Sequence, residues 1–384
     1  MTPWNWIEVA FWISAAGCAA SYALYPVLLH LAPRRPPHGA DAAWELPRLS
    51  VIVTARNEER RLEQKLRNTL ALDYPRERLQ IIVASDASED RTDEIARSFA
   101  GEGVTLARTA LRGGKEAAQA HAIAQSTGEI IVFTDVTTRL DTDALRRIAS
   151  HFADPTIGAV SSEDRVEPGE AQAGASGEGA YVRYEMWLRR LESERAGLVG
   201  LSGSLFAVRR RVAERWPIDV PSDISAALRT ASLGLRAIAD PRLFGYYSDL
   251  RDASREYGRK VRTVIRGMAA VAHMRQLLNP RRFGWYALQL WGHKIFRWLT
   301  PVFLLLTALL SMPLAFHSPC YLAILALQLI FYGAAALAAL APALQRFRLF
   351  RLTYYFTQVH LALLDAGWRF LRNERVVVWN PSVR

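Results

Sequence analysis

The chain has 384 residues, enough for one large domain with additions or for two domains. It is 51% hydrophobic and carries a formal charge of +11, a balance that points either to nucleic acid or to a membrane. Its cysteines, Cys18 and Cys320, both sit in apolar stretches, which excludes a disulfide framework and a cysteine-based metal site.

In chain order, Val9 to Leu31 contains no Asp, Glu, Lys or Arg. A bilayer crossing takes about 20 apolar residues, so this stretch predicts one membrane helix. No Lys or Arg precedes it, so the basic region of a cleaved signal is missing. Ala15-Ala16-Gly17-Cys18 lacks the Leu of a lipoprotein cleavage site. An uncleaved anchor over residues 1–33 follows.

From residue 47 onward strand and helix signals alternate. Leu49 to Val53, Leu79 to Ala84, Val104 to Ala107, Glu129 to Thr134 and Ile157 to Ser161 read as strands. Glu58 to Leu72, Arg91 to Ala100, Lys115 to Gln125 and a helix capped by Asp141 read as helices between them. Such alternation predicts a mostly parallel sheet with helices on both faces, and a domain over 47–280. Gly169 to Gly179 reads as a mobile loop. The mixture of Trp, Tyr, His, Lys and Arg between Gly284 and Trp298 predicts an interfacial amphipathic helix over 281–298. Leu299 to Leu344 is again free of Asp, Glu, Lys and Arg, broken at His317-Ser318-Pro319, and predicts two membrane helices over 299–344. Asp365 within Leu352 to Leu371, with Arg369, Arg372 and Arg375 after it, predicts an interfacial helix and a cytosolic tail over 345–384.

The basic residues decide between the two partners. Arg34 and Arg35 follow the first apolar stretch, Lys294 and Arg297 precede the second, and Arg346, Arg348 and Arg351 follow the third. By the positive-inside rule all lie in the cytosol, with the N-terminus outside. Basic residues that track membrane edges form no compact nucleic-acid patch.

In a parallel sheet the ligand sits beyond the C-terminal strand edge, so chemistry is sought just after each strand. Thr54-Ala55-Arg56-Asn57-Glu58-Glu59 follows the first strand, Ser85-Asp86-Ala87-Ser88-Glu89-Asp90 the second and Thr134-Asp135-Val136-Thr137 the fourth. Ser88 and Asp90 are equally well read as helix caps. Asp135 lies six residues before the next cap candidate, Asp141, and is better placed to hold a ribose or a divalent cation that bridges phosphates. Gly113-Gly114-Lys115 opens a helix, where N–H groups and a Lys could face phosphate, but the P-loop pattern is absent and a plain turn before a helix is the default reading. Arg259, Lys260, Arg262 and Arg266 lie on one helical stripe, suited either to a diphosphate or to an anionic lipid surface.

These blocks, in this order, resemble family 2 glycosyltransferases with the GT-A fold: Ser-Val-Ile-Val-Thr-Ala-Arg-Asn-Glu-Glu, the Asp86 turn, Gly-Gly-Lys-Glu-Ala-Ala, and Gly-Glu-Ile-Ile-Val-Phe-Thr-Asp. Leu201 to Arg210, Pro221-Ser222-Asp223 and Arg259 to Arg262 continue the likeness, over roughly residues 47 to 300. The helices around the domain resemble the membrane-bound branch, with its polysaccharide synthases and lipid glycosyltransferases. The resemblance implies an α/β fold, a GT-A (Rossmann-like, mostly parallel sheet) cytosolic domain with transmembrane helices at both ends. It implies Ala55, Asn57, Glu58, Asp86, Lys115 and Gly203 as donor-site residues, Asp135 as ligand of Mg2+ or Mn2+, Asp223 as general base, and Arg259 and Arg262 near the diphosphate. The expected activity is an inverting transfer from a nucleotide-sugar, a UDP- or GDP-sugar, to a lipid or glycan hydroxyl, as part of polysaccharide or cell-envelope synthesis. The expected location is the bacterial inner membrane, alongside other envelope-biosynthesis proteins. Three departures stand out: Thr137 replaces the second Asp of Asp-x-Asp, Ser222 precedes Asp223 in place of Glu, and Thr263 replaces the Trp that follows Arg262. Thr137 raises the alternative of a catalytically impaired nucleotide-sugar-binding scaffold of a polysaccharide synthesis complex.

Overall fold

The computed structural model describes residues 3–35, 45–166, 176–247 and 256–374. The chain enters through α1 (Pro3–Ala19), a π-helical turn (Ala20–Leu24) and α2 (Tyr25–Leu31). Then come β1 (Leu49–Ala55), α3 (Leu62–Leu70), β2 (Leu79–Ser85), α4 (Thr92–Ser98), β3 (Val104–Arg108), α5 (Lys115–Gln125) and β4 (Ile130–Asp135). A short β5 (Arg139–Leu140) leads to α6 (Ala144–His151), β6 (Ile157–Val166) and α7 (Ser176–Ser193). The block closes with β7 (Leu205–Arg209), α8 (Arg210–Ala213), α9 (Ser222–Ser232) and β8 (Arg236–Tyr247).

The strands form one sheet in the order β3-β2-β1-β4-β7-β6-β8-β5. β1 pairs in parallel with β2 and β4, as the alternation predicts. Beyond β4 the sheet turns mixed, with β7 antiparallel to both β4 and β6. Side chains alternate between two buried faces, as expected of strands covered on both sides. Leu49, Val51 and Val53 pack with Leu62, Leu66, Leu145 and Ile148 on one face. Ile52, Ile82, Ile131 and Phe133 pack with Ala118, Ala122, Ala226 and Ala227 on the other. The mobile-loop reading of Gly169 to Gly179 is corrected at its end, because Ser176 already begins α7; residues 169–175 lie outside the described residues.

After the sheet come α10 (Glu256–His273), α11 (Pro280–Leu290), a π-helical turn (Trp291–Ile295), α12 (Phe296–Leu314), α13 (Pro319–Leu340) and α14 (Arg348–Leu371). The chain divides into two compact units, one of residues 33–251 and 269–286, the other of 1–32, 252–268 and 287–375. In the second, Gly17 lets α1 lie against α12, since a Cβ there would come within 2.6 Å of the Phe303 ring. Val261 and Ile265 of α10 pack with Ala362 and Ala366 of α14. Among the described residues three helical runs are long and apolar enough to cross a membrane: Trp4–Leu31, Pro280–Leu314 and Pro319–Leu340. The turn expected at His317-Ser318-Pro319 is present, with Ser318 capping α13 by accepting the Cys320 N–H. Residues 281–298 are helical and run on into α12 after a kink at Gly284.

Candidate functional site

Strand register builds the site. Thr54 of β1 lies beside Asp135 of β4, and Ala55 beside Ser85 of β2, so three polar turns leave one edge together. Ala55 itself is 2% exposed and packs in the core, so its side chain offers nothing to a ligand. Its carbonyl accepts the Asp86 N–H at 3.1 Å. Asn57 takes a left-handed φ of 53° and accepts the Glu89 N–H on its side-chain oxygen. Glu58 donates its N–H to Thr92 Oγ1 and pairs with Arg61 at 3.2 Å. Just ahead of α4, Asp90 Oδ1 accepts from the Thr92 N–H at 3.0 Å.

Asp86 is buried and lies under the glycine turn. Its two carboxylate oxygens accept the N–H groups of Gly113 at 2.7 Å and Gly114 at 3.0 Å. These N–H groups are engaged with Asp86, and the glycine pair serves as a turn before the helix. The turn does aim Lys115, the first residue of α5. Lys115 Nζ donates to Asp135 Oδ1 at 2.6 Å and to the Gly203 carbonyl at 3.0 Å. Burial pulls the Lys115 pKa down, and Asp135 more than offsets that, with help from Glu116 and Asp223, leaving it raised.

Asp223 sits in the first turn of α9, and its carbonyl accepts the Leu201 N–H at 3.1 Å. A Cβ on Gly203 would lie 3.7 Å from Asp223 Oδ2, so the glycine leaves the space beside that carboxylate open. Lys115, Asp135, Gly203 and Asp223, far apart in sequence, thus form one cluster, and Asp86 holds the turn that precedes Lys115. Arg259 and Arg262 lie on α10, in the other compact unit.

Two groups here escape a reading of the sequence. Lys65 of α3 is 3% exposed, and its Nζ donates to Thr134 Oγ1 at 2.9 Å and to the Thr138 carbonyl at 2.5 Å. Burial lowers its pKa to about 7, against the opposing field of Asp135. Asp164 of β6 accepts hydroxyl bonds from Ser202, at 2.5 Å, and from Ser204. The Ser204 carbonyl in turn accepts the Asp135 N–H at 3.1 Å. Burial pushes Asp164 up, outweighing the two hydroxyls. The only local signal for Lys65 is a charge on the Leu62, Leu66, Thr69 stripe of an otherwise amphipathic helix.

For a divalent cation this cluster supplies the Asp135 carboxylate, which is already paired with Lys115. Among the described residues no three His, Cys, Asp or Glu side chains gather to hold a metal ion. A single carboxylate suits Mg2+ or Mn2+ when phosphate oxygens and water complete the shell.

Comparison with known proteins agrees with this geometry. The sequence model for Glycosyl transferase family 2 matches residues 50–216. The beta-monoglucosyldiacylglycerol synthase of Synechocystis sp. is 26% identical over 162 residues, 41% of this chain and 34% of that enzyme. The chain therefore matches about a third of that relative's length. An N-acetylglucosaminyltransferase of Rhizobium leguminosarum bv. trifolii is 30% identical over 126 residues, 31% of this chain and 67% of that protein. Among solved structures, the mannosyltransferase of Pyrobaculum calidifontis in complex with GDP-Man and Mn2+ is 26% identical, with a TM-score of 0.71 over 96% of this chain and 100% of that one.

Proposed function

The chain belongs to glycosyltransferase family 2 and has the GT-A fold, and from that premise we propose that it moves a sugar, with inversion, from a nucleoside-diphosphate donor to a hydroxyl of a lipid or glycan at a membrane. The observation that carries this reading is the convergence of Lys115, Asp135 and Asp223 beside Gly203 at the edge of the sheet. Asp223 takes the proton of the acceptor hydroxyl. The freed oxygen attacks the anomeric carbon from one face as the bond to the diphosphate breaks on the other. The nucleoside diphosphate departs with the bonding electrons, and Lys115 meets its growing charge. A divalent cation held by Asp135 and the donor would supply further charge neutralisation there. The assignment of Arg259 and Arg262 to the diphosphate rests on the family resemblance alone.

The acceptor class draws support from the lipid-directed name of the Synechocystis relative and from the three membrane-length apolar helices. A GDP-sugar is the first donor to try, given the GDP-Man bound by the Pyrobaculum enzyme. The test is a donor screen that reads released nucleoside diphosphate with membrane extract as acceptor, run on wild type and Asp223→Asn. Loss of a general base costs on the order of 10²–10⁴-fold in rate, so the variant is expected to bind donor normally and to turn over at least a hundredfold more slowly. Normal turnover by the variant would sink the assigned role. Donor binding by the wild type without turnover on any acceptor would favour the scaffold reading instead.

A further inference from the structure

Lys65 takes no part in the proposed sugar transfer. It lies on the core-facing side of α3, next to Leu66 and three residues after Leu62, both fully buried. Burying an ammonium is costly unless it is bonded, and an apolar residue would serve a core of this kind better. The two acceptors it has found are the Thr134 hydroxyl and the Thr138 carbonyl. These flank Asp135-Val136-Thr137, the segment that stands where the family has Asp-x-Asp. Within that segment the Thr138 N–H returns to the Asp135 carbonyl at 3.1 Å, so the chain folds back tightly over the ammonium. With Thr137 in place of a carboxylate the turn carries a single carboxylate, while the amines of Lys65 and Lys115 both donate to it.

We infer that Lys65 is a positioning residue of the donor site: it ties the two ends of the Thr134–Thr138 turn and fixes where Asp135 presents its carboxylate. The inference rests on the reading of the Asp135 edge as the donor site. With Thr137 in place of a second carboxylate, the placement of Asp135 rests on this clamp.

The experiment compares full-length wild type, Lys65→Met and Lys65→Arg in three measurements: affinity for GDP and UDP with Mn2+, donor KM and kcat, and amide hydrogen exchange of residues 134–138 without nucleotide. Lys65→Met is close in length but has neither charge nor donors. It is expected to exchange faster at the turn, to bind nucleoside diphosphate about tenfold more weakly, and to raise donor KM more than it lowers kcat. Lys65→Arg is expected to recover part of the affinity. Should Lys65→Met fail to accumulate, Thr134→Val removes one acceptor and is expected to act in the same direction to a smaller extent. Unchanged affinity and KM in Lys65→Met, with or without faster exchange, would overturn the proposal, because the clamp would then not serve the donor. Wild-type protein that binds neither nucleotide would sink the donor-site reading itself, and this inference with it.

Discussion

Ala87 carries a strained backbone in the turn after β2. It follows Asp86 and holds a left-handed φ of 50°, which an L-residue with a Cβ adopts at a cost of roughly 1–2 kcal/mol. Arg56 fixes that conformation, donating to the Asp86 carbonyl at 3.0 Å and to the Ala87 carbonyl, and pairing with Glu89 at 2.9 Å. Ala87→Gly should therefore stabilise the sheet unit by about 1 kcal/mol, seen as a raised melting temperature, with nucleoside diphosphate binding retained. A lower melting temperature would mean that the methyl group contributes more to packing than the strain costs. The cluster was partly legible at this scale. Asp86, Asp135 and Lys115 stand out because each follows an apolar run or a glycine pair, a signal contained within a few residues. Lys65 does not, because its partners lie 69 and 73 residues further along, and only the register of β1 with β4 brings α3 to that turn. Asp164 is hidden in the same way, inside a strand and bonded to serines 38 and 40 residues later.

Among elements, the five strands up to β6 apart from the two-residue β5 were readable, because a buried parallel strand is a continuous apolar run. β8 was not. Its sequence, Arg-Ala-Ile-Ala-Asp-Pro-Arg-Leu-Phe-Gly-Tyr-Tyr, is broken by Pro241 and Gly245. Its pairing with β6 slips between Ser161 and Glu163, and Pro241 falls within that slip, where no ladder bond is required of it. Asp240 closes the irregularity: Oδ1 accepts the Arg242 N–H at 2.9 Å, and Oδ2 accepts from His151 Nε2 of α6 at 2.9 Å. Burial alone would raise the Asp240 pKa, but these bonds hold it below its usual 3.8. A carboxylate depressed in the folded state binds fewer protons there than when unfolded. Its contribution is complete above the unfolded value and is lost as pH falls through the folded one. Asp240→Asn and His151→Ala should thus lower stability near neutral pH and flatten its decline below about pH 4, measured by melting temperature across a pH series. A variant whose acid limb stays as steep as that of the wild type would remove Asp240 from the linkage.

For the whole molecule, the apolar helices were the most legible feature, since hydropathy is a local sum, while their packing was not. Arg297, read from sequence as a charge at a membrane rim, is 9% exposed, within reach of Ser21 Oγ at 3.4 Å and 5.3 Å from the Tyr22 ring. The run from Pro280 to Leu314 has 35 residues, or about 52 Å of helix, against a hydrocarbon core of about 30 Å. Part of it must therefore lie outside the apolar layer, and the Gly284 kink, with Trp285 and Trp291 near it, marks the end suited to the interface. The charges that still define a side are Arg34 and Arg35 after α2 and Arg346, Arg348 and Arg351 around the start of α14. Both sets fall on the same side if Trp4–Leu31, Pro280–Leu314 and Pro319–Leu340 each cross once. The expected topology places residues 33–279 and Arg346 in the cytosol and His317 outside. In a bacterial host, alkaline phosphatase joined after His317 should be active and joined after Arg346 inactive, while a fluorescent protein at Arg346 should mature. Active phosphatase at Arg346 would require one crossing fewer or one more, and would put the proposed nucleotide-sugar site on the side of the membrane where no cytosolic donor reaches it.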